Sequence, residues 1–173
     1  MIEMLVAIMA GLIILAAFVA ITMNVKTMML MVGNYNDLDQ YSRNTLDLLS
    51  RDVRNANAVG DASTATSLTL TNTYSGLNTI TYAWDGSSRF VRTSRTVSGL
   101  GPSSTTSRLM LTNCDFLAFA YYKKTPTNNF DFVPTTDASQ VKLISVSWRC
   151  SRSILGSKLN TESVQTARVV MRN

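Results

Sequence analysis

The chain has no histidine, and its 173 residues include only two cysteines and three prolines. Histidine is the commonest general base and metal ligand, so its absence lowers the expectation of triad or metal chemistry. Two cysteines without histidine or further thiols cannot complete a tetrahedral metal set. They permit one disulfide in an oxidising compartment, or a pair of buried free thiols. The phosphate-binding loop, the G-x-S-x-G elbow and the H-E-x-x-H helix are all missing. Asp115, Asp131 and Asp137 are scattered polar residues that offer calcium only a weak set. No catalytic residue, cofactor or metal site is expected, and the chain is not expected to be an enzyme.

What is present is a division into two unlike parts. Met4 to Met23 is an unbroken uncharged, mostly apolar run, closed by Lys26, and none of the prolines interrupts it. Twenty helical residues span about 30 Å, the thickness of a bilayer core. A buried core helix of a soluble protein is the first rival reading; a run apolar on all faces and long enough to span a bilayer favours the membrane over it. A cleaved secretory signal is the second: Ala17-Phe18-Val19-Ala20 offers a small-residue site, yet the segment ahead of the run holds Glu3 and no Lys or Arg. Glu3 stands out because an ionisable group at the end of an apolar span needs a partner or the interface. Its plain alternative is a carboxylate at headgroup level.

From Met1 through Ile8 the sequence reads Met-Ile-Glu-Met-Leu-Val-Ala-Ile. This resembles the core of the type IV prepilin motif, in which a leader ends in glycine and is followed by Phe-Thr-Leu-Ile-Glu and an apolar helix. Ile2, Glu3 and the apolar residues after them match it, while Met1 stands where the family usually has Leu. The leader, its glycine and the first two mature residues are expected upstream of Met1. The resemblance implies an α+β pilin-like fold: one long helix, membrane-spanning in its first half, packed on a small antiparallel sheet. It further implies that Glu3 pairs with the N-terminal amine of a neighbouring pilin or pseudopilin during assembly. A carboxylate and an ammonium would neutralise each other there, where neither is well solvated. Gly11, Ala7, Ala10, Ala16, Ala17 and Ala20 are small enough to let neighbouring helices approach. Many major pilins carry a proline near the end of this span, so its absence leans toward a minor subunit.

Beyond Gly33 the pattern becomes amphipathic. Leu38, Tyr41, Thr45, Leu46, Leu49, Val53 and Ala56 recur at three- and four-residue steps, and Asp39–Arg43 and Asp47–Arg51 are acid-before-base pairs. This predicts one helix from about Ile2 to Ala58, stopped near Gly60. The chain thus divides into a transmembrane or filament-core half-helix over 1–26, an amphipathic half over 27–60 and a β-rich head over 61–173. Leu48 to Ala56 looks like the same region of J-type pseudopilins and W-type minor pilins; taken alone, Arg51, Asp52 and Arg54 form an ordinary solvated face.

In the head, Leu68 to Thr73, Asn78 to Trp84 and Arg89 to Thr93 read as a meander, with Asp85-Gly86 as a turn. Thr93 to Ser107 is Ser/Thr/Gly-rich, contains Gly99, Gly101 and Pro102, and reads as a loop. Cys114 to Tyr122 and Val141 to Cys150 are both strand-like. Paired antiparallel with Cys114 facing Cys150, they place Phe116 against Trp148, Ala118 against Val146 and Ala120 against Ile144, so that small residues meet large ones. That register predicts a Cys114–Cys150 disulfide. Thr161 to Arg172 suggests a last strand through Val164, Ala167, Val169 and Met171, and Glu162 to Asn173 resembles the closing strand of W-type minor pilins.

From Arg89 onward there are twelve Lys or Arg against four Asp or Glu. A soluble basic surface accounts for this. The sharper alternative is a tethered module that binds anions, DNA among them, through Arg89, Arg92, Arg95, Lys123, Lys124, Arg149 and Arg152. The leading expectation is structural: a minor pilin or minor pseudopilin of a type IV pilus or type II secretion pseudopilus. By that resemblance it would be held single-pass in the bacterial inner membrane with its head in the periplasm. It would be processed by a prepilin peptidase, extracted by an inner-membrane assembly platform with its ATPase, and would help initiate the filament.

Overall fold

A computed structural model describes residues 2–72, 77–97, 102–126, 131–154 and 157–172. Met1, Gly99 and Gly101 lie outside the described residues. The fold is α+β, with one long N-terminal helix packed on antiparallel sheets.

Helix α1 runs from Ile2 to Asn55. At 1.5 Å per residue that is about 80 Å of rod. It ends three residues earlier than expected, because Ala58–Val59 leaves the helix to form strand β1 against the first sheet. The buried stripe of the second half is Leu38, Ser42, Thr45, Leu49, Asp52, Val53 and Ala56. Tyr41, expected on that stripe, points to solvent, and Ser42 takes its place. Two hydrogen bonds fix the polar members: Trp148 Nε1 donates to Ser42 Oγ at 3.3 Å, and Thr45 Oγ1 to the Met110 carbonyl at 3.3 Å. On the exposed face Asp39 and Arg43 pair at 2.7 Å as their spacing predicts. Among the described residues, Asp47 and Arg51 form no such ion pair.

The first sheet has five strands in sequence order: β1, β2 (Ser67–Asn72), β3 (Leu77–Trp84), β4 (Phe90–Val97) and β5 (Ser104–Leu111). Its inner face carries Leu68, Leu70, Ile80, Tyr82, Phe90 and Leu111, all buried. Its outer face is hydroxyl-rich: Thr69, Thr81, Thr93 and Ser107 stand in one row across four strands. This corrects the expected loop over Thr93 to Ser107. Serine and threonine serve a solvated strand face as readily as a turn, and Thr93 is bonded to Ser107 across the ladder at 3.2 Å. The Asp85-Gly86 turn forms as expected. Gly86 adopts φ 80°, and one Asp85 carboxylate oxygen accepts the N–H groups of Ser87, Ser88 and Arg89, which holds that carboxyl well below the usual range.

The second sheet is ordered β7 (Phe132–Pro134), β6 (Cys114–Lys124), β8 (Val141–Ile154) and β9 (Ser157–Val170). Cys114 faces Cys150 as predicted, but the rest of the expected register is wrong by one residue. A bulge at Asp115 shifts β6, so that Leu117 faces Trp148, Phe119 faces Val146 and Tyr121 faces Ile144. Phe116 is turned outward, 47 % exposed. Leu117 and Phe119 are larger than Ala118 and Ala120, so this register buries more apolar surface on the face that meets the helix. In β9, Val169 is buried and Ala167 half-buried, but Val164 stands outward and Ser163 inward.

The inner faces of the two sheets and the second half of α1 share one core. Phe90 sits at its centre, 5.7 Å from Tyr82, 6.2 Å from Phe119 and 6.4 Å from Trp148 between ring centroids. Aromatic rings at these separations gain about 0.5–1.5 kcal/mol per pair beyond their buried area.

Candidate functional site

The first candidate is the projecting part of α1. From Ile2 to Gly33 every residue is exposed except Thr27 and Met31, which are partly so. Its most apolar window has a mean hydropathy of 2.9 and none of it is buried. The rod is therefore long and apolar enough to cross a membrane, and among the described residues nothing buries its most apolar stretch. Thirty-two residues amount to about 48 Å, longer than the roughly 30 Å of a hydrocarbon core. The surplus lies toward the head, where Val25, Met28, Met29 and Val32 line an apolar hollow of about 300 Å³. Glu3 lies in the first helical turn and is exposed.

The second feature is a buried polar node that sequence reasoning placed on the surface. Asp52 is 9 % exposed. One of its oxygens accepts Tyr82 Oη at 2.6 Å and Arg92 Nε at 2.7 Å, joining the helix to β3 and β4. Burial, then the bond to Asp52, pushes the Tyr82 hydroxyl far above its ordinary value. Burial alone would lower the Arg92 guanidinium; its bond and charge pairing with Asp52 more than offset this. A signal for the node was present in the spacing. Residues 38, 42, 45, 49, 52 and 56 advance by alternating steps of four and three, which puts Asp52 on the buried seam.

The seven candidate anion-binding residues do not converge. Arg92 is spent on Asp52. Arg149 Nε binds both oxygens of Asp115, at 2.9 and 3.1 Å. Arg152 Nη1 reaches Asp37 at 3.3 Å and ties β8 to the helix where it enters the head. Arg89, Arg95 and Lys124 are exposed and Lys123 is half-buried. Arg89 just precedes β4 and Arg95 lies six residues further along, about 20 Å of extended chain, and the two lysines lie at the far end of β6. An open polar cavity of about 490 Å³ lies beside Arg152, among Asn34, Ser88, Asn113, Asp115 and Ser151, with charges of both signs on its wall. Among the described residues no three His, Cys, Asp or Glu gather where a metal could be held. Asp137 instead caps the 3-10 turn Ala138–Gln140 through the Ser139 N–H.

The cysteines are both fully buried and both thiols, directly opposite each other across β6 and β8.

No protein-family model matches the sequence, and no curated protein does. The class that the fold itself defines is an α+β chain whose single long helix is half rod and half core, with the rod compatible with a membrane anchor.

Proposed function

We propose that this chain is a structural subunit of a filament of the type IV pilus or type II secretion class. In this reading it is a minor pilin or pseudopilin, held in the inner membrane by its rod with the head in the periplasm. The observation that carries the proposal is the naked rod: some 30 residues of apolar helix, with small residues along it and a carboxylate in its first turn, that the described head residues leave exposed at every position but Thr27 and Met31. An apolar surface of that size requires a cover. Lipid supplies one. Sister rods supply the other, through close packing at Gly11 and the alanines, and they also provide a cation for Glu3. Assembly exchanges the first cover for the second. The prepilin peptidase and the assembly platform enter with the motif resemblance.

The test is recovery. In cells that make filaments, shearing is expected to release this chain with the fibre, while filament-deficient cells keep it in the membrane fraction. Complete retention in the membrane of filament-forming cells would contradict the proposal.

A further inference from the structure

We infer that Cys114 and Cys150 are a disulfide-forming site, closed while the head folds and sealed once it has folded. Three observations carry this. The first is the backbone geometry. Ser151 N–H donates to the Asn113 carbonyl at 2.9 Å, while Cys114 N–H is turned away to Ser88 at 3.0 Å. The two cysteines are therefore a non-hydrogen-bonded antiparallel pair, the kind whose Cα atoms approach most closely, about 4.5 Å, inside the range a disulfide spans.

The second is the bulge. Without Asp115 as an extra residue, strict alternation could not turn both Cys114 and Leu117 inward. The bulge lets the bulky residues from Leu117 onward face the core while Cys114 stays opposite its partner. The third is the placement of the two side chains. Both point into the core from the same face of the sheet, 0 % and 1 % exposed, and the Cys114 thiol donates to the Phe116 carbonyl at 3.2 Å.

The chemistry needs an external two-electron acceptor, and a small or protein disulfide serves. One cysteine thiolate attacks a donor sulfur, forming a mixed disulfide and releasing one donor thiolate. The other cysteine thiolate then attacks the mixed disulfide at its own chain's sulfur. The Cys114–Cys150 bond forms, the second donor thiolate leaves, and the two cysteine protons end on the two donor thiols. With both sulfurs buried, this exchange belongs to the folding chain, and the finished bond is shielded from reductant.

The position gives the bond its effect. Cys114 is held to the first sheet by its N–H on Ser88 and by Trp84 Nε1, which donates to its carbonyl at 3.0 Å. Two residues beyond Cys150, Arg152 grips Asp37 of the helix. The bond would lock the point where the rod, both sheets and any load on them meet.

That a cellular oxidant reaches the head rests on the placement proposed above; the site itself does not. The full chain, unfolded and reduced in detergent, is refolded in reduced and oxidised glutathione and then alkylated in denaturant without reductant. Neither cysteine should be alkylated, and the intact mass should be lower than the reduced form by two hydrogens. Refolded in reductant instead, so that the bond never forms, the wild type should melt roughly 10 °C or more lower. The choice of refolding buffer should leave a C114A/C150A variant unchanged. Alkylation of both cysteines after refolding in glutathione, or the same melting temperature after either refolding, would overturn the site. If the bond forms in glutathione but protein taken from cells alkylates at both positions, the site stands and the placement of the head fails.

Discussion

Replacing Glu3 with leucine should leave the chain in the membrane and remove it from the filament. The substitution lengthens an apolar run that is already long enough to span, so insertion has no reason to suffer. In the fibre the effect is of another size. A carboxylate that meets an ammonium among packed helices, away from water, cannot lose its partner cheaply. Removing one member of such a pair costs about 3–5 kcal/mol, because the other charge is left buried alone. A loss of about 3 kcal/mol reduces incorporation on the order of a hundredfold. The readout is the ratio of this chain to the major subunit in the sheared fraction, compared with its level in membranes. Glu3→Gln, which keeps a hydrogen bond but not the charge, should fall between. Equal recovery of Glu3→Leu and wild type would remove the carboxylate from the account.

The second large effect lies in the head. Asp52→Ala should cost about 3–5 kcal/mol of stability and lower the melting temperature on the order of 10 °C. The side chains of Arg92 and Asp52 are 19 % and 10 % exposed, so deleting the carboxylate strands a guanidinium and a phenol hydroxyl under the helix. The cost should belong to the unpaired groups and not to a loss of packing. A triple variant, Asp52→Leu with Tyr82→Phe and Arg92→Leu, should therefore recover much of it. Thermal unfolding of the full chain in detergent, followed by the signal of the β-rich head, measures both. If Asp52→Ala melts with the wild type, the node contributes nothing to docking the helix.

Much of this architecture was legible before any coordinates, and the reason is periodicity. The uniformly apolar run, the change to an amphipathic stripe after Gly33 and the alternating Leu68–Thr71 strand each declare their environment residue by residue. The Cys114–Cys150 pairing was legible because two strand-like segments laid antiparallel bring the two sulfurs together, although the single register that this implied fails beyond the cysteines. What stayed hidden depends on contacts remote in sequence. The bulge at Asp115 is chosen by which register best fills the space between helix and sheet, and no local pattern encodes that volume. Strand β5 opens on serine and threonine, which belong equally to turns; its ladder with β4, Thr93 facing Ser107 among its pairs, makes Ser104–Leu111 a strand. Asp52 lies on the buried seam by spacing, but a carboxylate there reads as solvated until Tyr82 and Arg92, 30 and 40 residues away, are seen to meet it. The basic residues show the converse. Their number was plain in the sequence, whereas the use of Arg92, Arg149 and Arg152 in internal ion pairs was not.

The central claim is that the rod leaves lipid for other rods, and a photo-activated cross-linking residue at Leu12 reports its surroundings directly. Leu12 sits about a third of the way along the projecting helix, within the apolar run, and is 60 % exposed. In membranes of filament-deficient cells its adducts should be lipid. In sheared filaments they should be the N-terminal helices of neighbouring subunits. Adducts between position 12 and residues 61–172 of the same chain would mean that the rod folds back onto its own head, and the account would be wrong.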